Sequence, residues 1–118
     1  MQSRHGSLES AVLSALWNLE QSGEYKNSVK EVYEYLAKND DDKRAYTTIK
    51  TVMDRLFEKK VLLRYKDGKK FYYRTLYSNQ ETVINILRET ANRYCGGNLE
   101  KLKDILNSMV EEKCLVGV

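Results

Sequence analysis

The chain has 118 residues, 42% of them hydrophobic and 31% charged, with no proline and a net charge of +3. This composition fits one small domain, or one domain with an appended helical segment. No run approaches the roughly 20 apolar residues that cross a bilayer. The first residues also lack the apolar core of a secretion signal, so we expect a cytoplasmic protein without membrane insertion. Two cysteines and one histidine are too few for a disulfide scaffold or a four-ligand zinc site, and we expect no metal or cofactor.

The first two predicted helices carry apolar side chains at helical spacing. The first helix is predicted from about Ser7 to Glu20, before Gly23, with the stripe Leu8, Val12, Leu16 and Leu19, beside Leu13 and Trp17. Ser28 and Glu31 form a capping-box pattern, in which both side chains satisfy amides at a helix start. A second helix therefore follows to about residue 38, with the stripe Val29, Val32, Tyr33 and Leu36.

A third helix and a hairpin come next. The helix is predicted from about Tyr46 to Lys60, and its buried stripe consists of Ile49, Val52, Met53 and Leu56. Two runs rich in aromatic and aliphatic residues, 61–66 and 69–74, flank Asp67-Gly68. Asp-Gly between such runs is the strongest short-range signal for a β-hairpin.

Two more helices are predicted after Tyr77. A second capping-box pattern begins at Ser78 and is followed by the stripe Val83, Ile84, Leu87, Ala91 and Tyr94. Gly96-Gly97 ends that helix, and Asn98 can cap the last helix. The stripe of the last helix is Leu99, Leu102, Leu106, Met109 and Val110, beside Ile105. The predicted fold is mainly α with a small β-hairpin. It is a winged helix-turn-helix in residues 1–77, followed by a helical dimerisation segment in residues 78–118.

Positive charge is concentrated in the third helix and the hairpin. Residues 43–74 contain eleven Lys/Arg and three Asp/Glu, a balance of +8, whereas residues 1–42 have a balance of −4 and residues 75–118 of −1. In a winged helix the third helix enters the major groove and the hairpin lies against the neighbouring backbone. We therefore predict base contacts from Thr47, Thr48, Lys50 and Thr51. The predicted phosphate contacts are Lys43, Arg44, Arg55, Lys66, Lys69 and Lys70.

Other interpretations of these residues stay open. The threonines can be ordinary helix-start residues, and the lysines can simply keep a hairpin soluble. A winged helix can also serve as a protein-interaction module without specific DNA binding, although the +8 segment favours DNA. An enzyme is disfavoured, because there is no phosphate loop, metal-ligand cluster or catalytic triad pattern. Residues 40–42, three consecutive aspartates, are a solvated turn or, less favourably, a cation site.

The last two helices need a partner surface. A short helix alone in water is marginal, so it must bury its stripe against the same chain or a second copy. Symmetric dimers are the commonest oligomers, and we predict a homodimer. Its interface is predicted to contain Val83, Ile84, Leu87, Leu99, Leu102, Leu106, Met109 and Val110.

Five stretches resemble the penicillinase-repressor (BlaI/MecI/CopY) family. They are AYTTIKTVMDRL (residues 45–56), LE and LW upstream (8–9 and 16–17), KDGKKFYY in the hairpin (66–73) and YCGG (94–97). The resemblance implies a dimeric bacterial transcriptional repressor that binds a palindromic double-stranded operator. By position, Thr47, Thr48, Lys50 and Thr51 match the family's DNA-reading turn, and the C-terminal helices would interlock with those of a second subunit.

Two departures concern regulation. Family members that answer β-lactams are cut at an Asn-Phe bond, and this chain contains no Asn-Phe pair. The sequence therefore offers no Asn-Phe site that would support a separate sensor or protease partner. Copper-responsive relatives carry Cys-x-Cys elements, whereas this chain has the isolated Cys95 and Cys114. Cys95 is either a small packing residue, which we favour, or a redox sensor.

Overall fold

The computed structural model describes residues 7–39 and 44–116, with side chains through residue 111. Within these ranges it contains five helices and one two-stranded antiparallel sheet. The elements are α1 (Leu8–Gln21), α2 (Val29–Asn39), α3 (Tyr46–Glu58), β1 (Leu62–Asp67), β2 (Lys70–Thr75), α4 (Asn79–Tyr94) and α5 (Leu99–Val116). Three helices followed by a hairpin form a winged helix, so the predicted fold class is confirmed. No helix in the described ranges is both long enough and apolar enough to cross a bilayer.

The chain divides into two compact units, which we call the N-terminal unit (residues 1–79) and the C-terminal unit (residues 80–118). The N-terminal unit has a continuous apolar core, to which α1, α2, α3 and both strands contribute. Its buried members are Ala11, Val12, Ala15, Leu16, Val29, Val32, Leu36, Ile49, Val52, Met53, Leu56, Leu62 and Tyr73. The predicted stripe of each of the first three helices thus points inward and leaves the opposite face to solvent.

Side-chain hydrogen bonds cap the starts of the first two helices. Ser7 Oγ accepts a hydrogen bond from the Ser10 amide at 3.2 Å, which satisfies one of the open donors at the start of α1. At α2, the Glu31 carboxylate accepts from the Ser28 amide at 2.7 Å, and Ser28 Oγ accepts from the Lys30 amide at 3.2 Å. The predicted capping box is therefore confirmed.

The hairpin, which we call the wing (residues 62–75), differs in one detail from the prediction. Asp67 pairs with Lys70, so the two-residue loop is Gly68-Lys69 rather than Asp67-Gly68. Gly68 has φ +68°, a conformation that glycine adopts without steric cost at the first loop position. The carboxylate of Asp67 pairs with Lys26 at 2.6 Å.

Two contacts that the sequence pattern did not predict attach the wing to the helices. The Tyr73 amide donates to the Asn27 carbonyl at 2.8 Å, forming a single β-bridge beside β2. The Glu20 carboxylate accepts from both the amide and the hydroxyl of Thr75, at 2.9 and 2.6 Å. The first contact joins β2 to the segment between α1 and α2, and the second joins it to the last turn of α1.

The C-terminal unit has well-defined helix ends and a small core. Gly96 and Gly97 have φ of +61° and +79°, and the Gly97 amide donates to the Ala91 carbonyl at 2.9 Å, so α4 ends as predicted. Asn98 Oδ1 accepts from the amides of residues 100 and 101 at 2.9 and 3.2 Å, which confirms the predicted cap of α5. The buried cluster consists of Ala91, Cys95 and Leu102, with Leu87 packed against it.

Candidate nucleic-acid interface

The exposed side of α3, which we call the reading face, carries the four predicted base-contact residues. Thr47, Thr48, Lys50 and Thr51 are all exposed, while the stripe on the other side of the helix lies in the core. Thr51 Oγ1 donates to the Thr47 carbonyl at 3.0 Å. The proton of that hydroxyl is therefore used within the helix, and the oxygen keeps lone pairs that can accept a hydrogen bond. Hydroxyls and a lysine at these positions suit contact with base edges and phosphates.

Asp54 lies one turn beyond Lys50 and contacts three side chains. Lys50 Nζ donates to Asp54 Oδ2 at 2.8 Å, and the Tyr73 hydroxyl donates to Asp54 Oδ1 at 2.7 Å. Arg64 approaches the same Oδ1 at 3.5 Å. Partial burial would raise the pKa of Asp54, but the hydrogen bonds from Lys50 and Tyr73 and the two positive charges outweigh it and lower that pKa. Burial and the Asp54 carboxylate raise the pKa of Tyr73 to about 12.

Arg64 connects α3 to the wing by stacking as well as by charge. Its guanidinium lies 4.1 Å from the ring centre of Phe57 on α3 and 4.7 Å from that of Phe71 on β2. A planar, weakly hydrated guanidinium favours such contacts with aromatic faces. The stack therefore joins the wing to the last turn of α3.

The end of the wing is strongly cationic. Lys66, Lys69 and Lys70, the wing-tip lysines, are all exposed. Lys26, which lies before α2, joins them through its ion pair with Asp67, and that hydrogen bond and charge raise the pKa of Lys26. Lys26 was not predicted as a site residue, because only the long-range contact with Asp67 brings it to the wing.

The remaining predicted phosphate contacts have different surroundings. Arg44 is exposed just before α3, and Lys43 lies outside the described residues. Arg55 Nη1 is 3.9 Å from the Glu9 carboxylate, which also pairs with Lys59 at 2.9 Å. Arg55 therefore lies towards α1, where Glu9 partly neutralises its charge.

An open groove of about 380 Å³ lies between the start of α2, α3 and the wing. Its described walls contain four cations and one carboxylate, together with aromatic and aliphatic surface. The lining residues are Ser28, Val29, Lys30, Tyr46, Lys50, Asp54, Arg64, Lys70, Phe71 and Tyr73. Lys30 and Arg64 were not predicted as site residues. Lys30 could have been found, because it follows the Ser28 cap in the first turn of α2, where a winged helix also faces the phosphate backbone.

The predicted dimer-interface residues fall into two groups. Leu87 and Leu102 pack within the C-terminal unit itself. The others remain exposed in the single chain, and we call them, with the equally exposed Ile86 and Ile105, the apolar set: Val83, Ile84, Ile86, Leu99, Ile105, Leu106, Met109 and Val110. Exposed apolar side chains in such number are typical of surfaces that bind another protein.

The described side chains contain no group of three or more His, Cys, Asp or Glu residues placed to hold a metal ion. Cys95 is buried and packs with Ala91 and Leu102, as the packing interpretation expects. His5, residues 40–42 and the side chain of Cys114 lie outside the described part of the chain.

Comparison with known proteins gives consistent matches. The family model for the penicillinase repressor matches residues 5–115. Two relatives, each named transcriptional regulator BlaI, come from Mycobacterium tuberculosis strains CDC 1551 / Oshkosh and ATCC 25618 / H37Rv. Each is 32% identical to this chain over 84 residues, which cover 71% of this chain and 56% of the relative. The chain thus matches little more than half the length of these relatives.

Proposed function

The chain belongs to the penicillinase repressor family, and from this premise we propose that it is a cytoplasmic transcriptional repressor that binds a palindromic double-stranded DNA operator as a homodimer. The observation that carries the proposal is the joint position of the reading face and the wing-tip lysines on one winged helix. Base edges would be contacted by the hydroxyls and lysine of α3, and phosphates by the lysines of the wing.

Electrostatics supports the assignment of the two roles. The groove between α2, α3 and the wing contains four cations and one carboxylate, so its surface attracts a polyanion. The wing-tip lysines are compact point charges, which suit phosphates and release counterions when they bind. The reading face instead combines short hydroxyl side chains with one lysine, whose donors match the acceptors of guanine.

The apolar set and the presence of one reading face in each chain support the proposed dimer. One winged helix reads about half of a symmetric site, and a second copy related by a two-fold axis supplies the other half. The apolar set offers the surface for that second copy. We expect operator half-sites about one helical turn apart, or a near multiple of it.

The first experiment measures the affinity of the protein for two duplexes of equal length, at several salt concentrations. One is the intergenic DNA upstream of its gene, and the other is a scrambled sequence. A repressor binds the first more tightly, and both affinities fall as salt rises. Equal affinities at every salt concentration contradict specific DNA binding, and would favour a protein-interaction module instead.

The second experiment separates the two roles. Lys69→Ala or Lys70→Ala should weaken binding to all sequences and reduce the salt slope by about one unit for each lost phosphate contact. Thr47→Ala should instead change the preference among operator variants. Lys101→Ala is a matched control, because Lys101 is also an exposed lysine and lies on α5, outside the winged helix. If Thr47→Ala and Lys69→Ala both lower all affinities uniformly, the assignment of base contacts to α3 is wrong.

A further inference from the structure

Asp54 is an unexpected residue for a surface that binds a polyanion. Among the residues that the structure describes, it is the one carboxylate in the walls of the groove between α2, α3 and the wing, and its side chain is 30% exposed. A carboxylate there repels phosphates, so it lowers affinity for DNA in general. We infer that Asp54 is a specificity-determining residue. It holds the Lys50 ammonium in place for a base contact and keeps it from binding phosphates of every sequence alike. This inference rests on the proposed DNA-binding function.

The carboxylate is held rigidly, and its two oxygens have separate partners. Oδ1 accepts from the Tyr73 hydroxyl at 2.7 Å and faces Arg64 at 3.5 Å, both in the wing. Oδ2 is left for Lys50 at 2.8 Å. Tyr73 is only 2% exposed, and its amide is bonded to the Asn27 carbonyl. The wing therefore orients Asp54, and Asp54 in turn orients Lys50.

Lys50 is suited to being positioned in this way. Its side chain is 57% exposed, so a lysine without a partner at this place would sample many rotamers. Lysine has three donors, and the bond to Asp54 occupies one. The other two can meet the O6 and N7 acceptors of a guanine in the major groove. A fixed ammonium loses less conformational freedom on binding its base, which favours the correct sequence over others.

The decisive variant is Asp54→Asn, which keeps the shape of the side chain and removes its charge. We expect its affinity for a scrambled duplex to rise, since the repulsion is gone and Lys50 is free to bind phosphate. Its affinity for the operator should rise less or fall, so that the operator-to-scrambled ratio drops about tenfold. A uniform drop of both affinities, with the ratio unchanged, overturns the inference and leaves Asp54 a purely structural residue.

A double-mutant cycle tests whether Asp54 acts through Lys50. In a Lys50→Gln background, Asp54→Asn should leave the operator-to-scrambled ratio unchanged, because the lysine it positions is absent. If the ratio falls as far in that background as in the wild type, Asp54 does not act through Lys50 and the inference is wrong.

Two further variants control for charge and for folding. Glu9→Gln removes one carboxylate that pairs with Lys59 and Arg55 at another edge of α3, and should raise both affinities equally. Asp54→Glu keeps the charge within reach of Lys50 and should retain weak binding to scrambled DNA. If Asp54→Asn does not fold, the test is Asp54→Glu, and tight binding of that variant to the scrambled duplex overturns the inference. Failure of the proposed function is detected separately, by comparing the wild-type protein on the operator and the scrambled duplex. Equal wild-type affinities for the two refute the proposed function itself.

Discussion

The two units of this chain carry equally regular helical patterns but bury very different amounts of apolar surface. In the N-terminal unit thirteen residues form the buried core, and Leu16 and Met53 are completely covered. Among the described side chains of the C-terminal unit, which end at residue 111, the buried cluster has three members, while Met109 and Val110 on α5 are 59% and 63% exposed. Amphipathic spacing therefore shows which side of a helix seeks burial, but not whether the same chain supplies the cover.

The difference has an energetic meaning. Burial contributes roughly 25 cal/mol for each Å² of apolar surface, so the N-terminal unit has the core that an independent fold needs. Helices such as α4 and α5 gain little stability from hydrogen bonding alone in water. The C-terminal unit is thus the part of the molecule whose stability should depend on a second copy.

The largest expected effect comes from separating the units. A chain that ends at Ser78 should fold and remain monomeric, because it keeps the whole core of the N-terminal unit. Its operator affinity should fall by about 10²–10⁴-fold, since each half-site is then bound without the tethering effect of a dimer. Sedimentation and DNA titration measure both outcomes. A truncated chain that still dimerises, or a full chain that is monomeric at micromolar concentration, contradicts the role of the C-terminal unit.

A cavity in the N-terminal core is the next test. Leu16→Ala should lower the free energy of unfolding by about 2–5 kcal/mol, because the side chain is fully buried and its neighbours cannot collapse completely. The loss should appear at any protein concentration, as measured by urea denaturation at two concentrations. A loss that depends strongly on concentration would show that the N-terminal core, too, relies on association.

A charge placed on α5 tests whether the C-terminal unit associates through its exposed apolar side chains. Met109→Asp should raise the dimer dissociation constant by about tenfold to a hundredfold, since it removes a side chain whose burial is worth roughly 1.5–3 kcal/mol and places a charge at the interface. The matched control is Ser108→Asp, on the neighbouring exposed position. Equal effects of the two variants in sedimentation equilibrium would show that Met109 lies outside the interface.

The smallest expected effect concerns the hydrogen bond between Tyr73 and Asp54. Tyr73→Phe should lower stability by about 1 kcal/mol at neutral pH, whereas Tyr94→Phe, at an exposed position of the C-terminal unit, should change it by less than about 0.5 kcal/mol. The pKa of Tyr73 is raised to about 12. Its contribution is therefore complete below pH about 10, the ordinary tyrosine value, and is lost as pH rises towards 12.

The measurement is urea denaturation of both proteins between pH 8 and 12. The stability difference between wild type and Tyr73→Phe should shrink through this range, because the folded state binds the phenolic proton more tightly than the unfolded state. A difference that stays constant to pH 12 would mean that the hydroxyl is not bonded to a carboxylate in solution.

The elements of the fold were predictable because their signals are local. Ser28 and Glu31 are three positions apart, and Gly96 and Gly97 are adjacent, so the sequence displays each cap directly. The wing was predicted in the right place, but its loop begins one residue later. The ion pair of Asp67 with Lys26 is a long-range contact, and no hairpin pattern contains it.

The contacts that organise the candidate site were not predictable for the same reason. Asp54 meets Arg64 and Tyr73, which lie 10 and 19 positions later in the chain. The bridge between Asn27 and Tyr73 involves one residue pair and produces no periodicity. The exposed positions on α3 and the i,i+4 pair of Lys50 with Asp54 follow from helical spacing. The contacts that orient Asp54 become apparent only when the wing is packed against the helix.

The single tryptophan of the chain lies in the N-terminal unit, where the Trp17 indole N–H donates to the Tyr77 carbonyl at 2.9 Å. Its fluorescence is therefore an optical signal from one unit, while far-ultraviolet circular dichroism sums the helices of both. Coincident curves from the two probes mean one cooperative transition, and separate curves give each unit its own midpoint. The unlabelled protein thus contains the spectroscopic means to tell whether its two units unfold together.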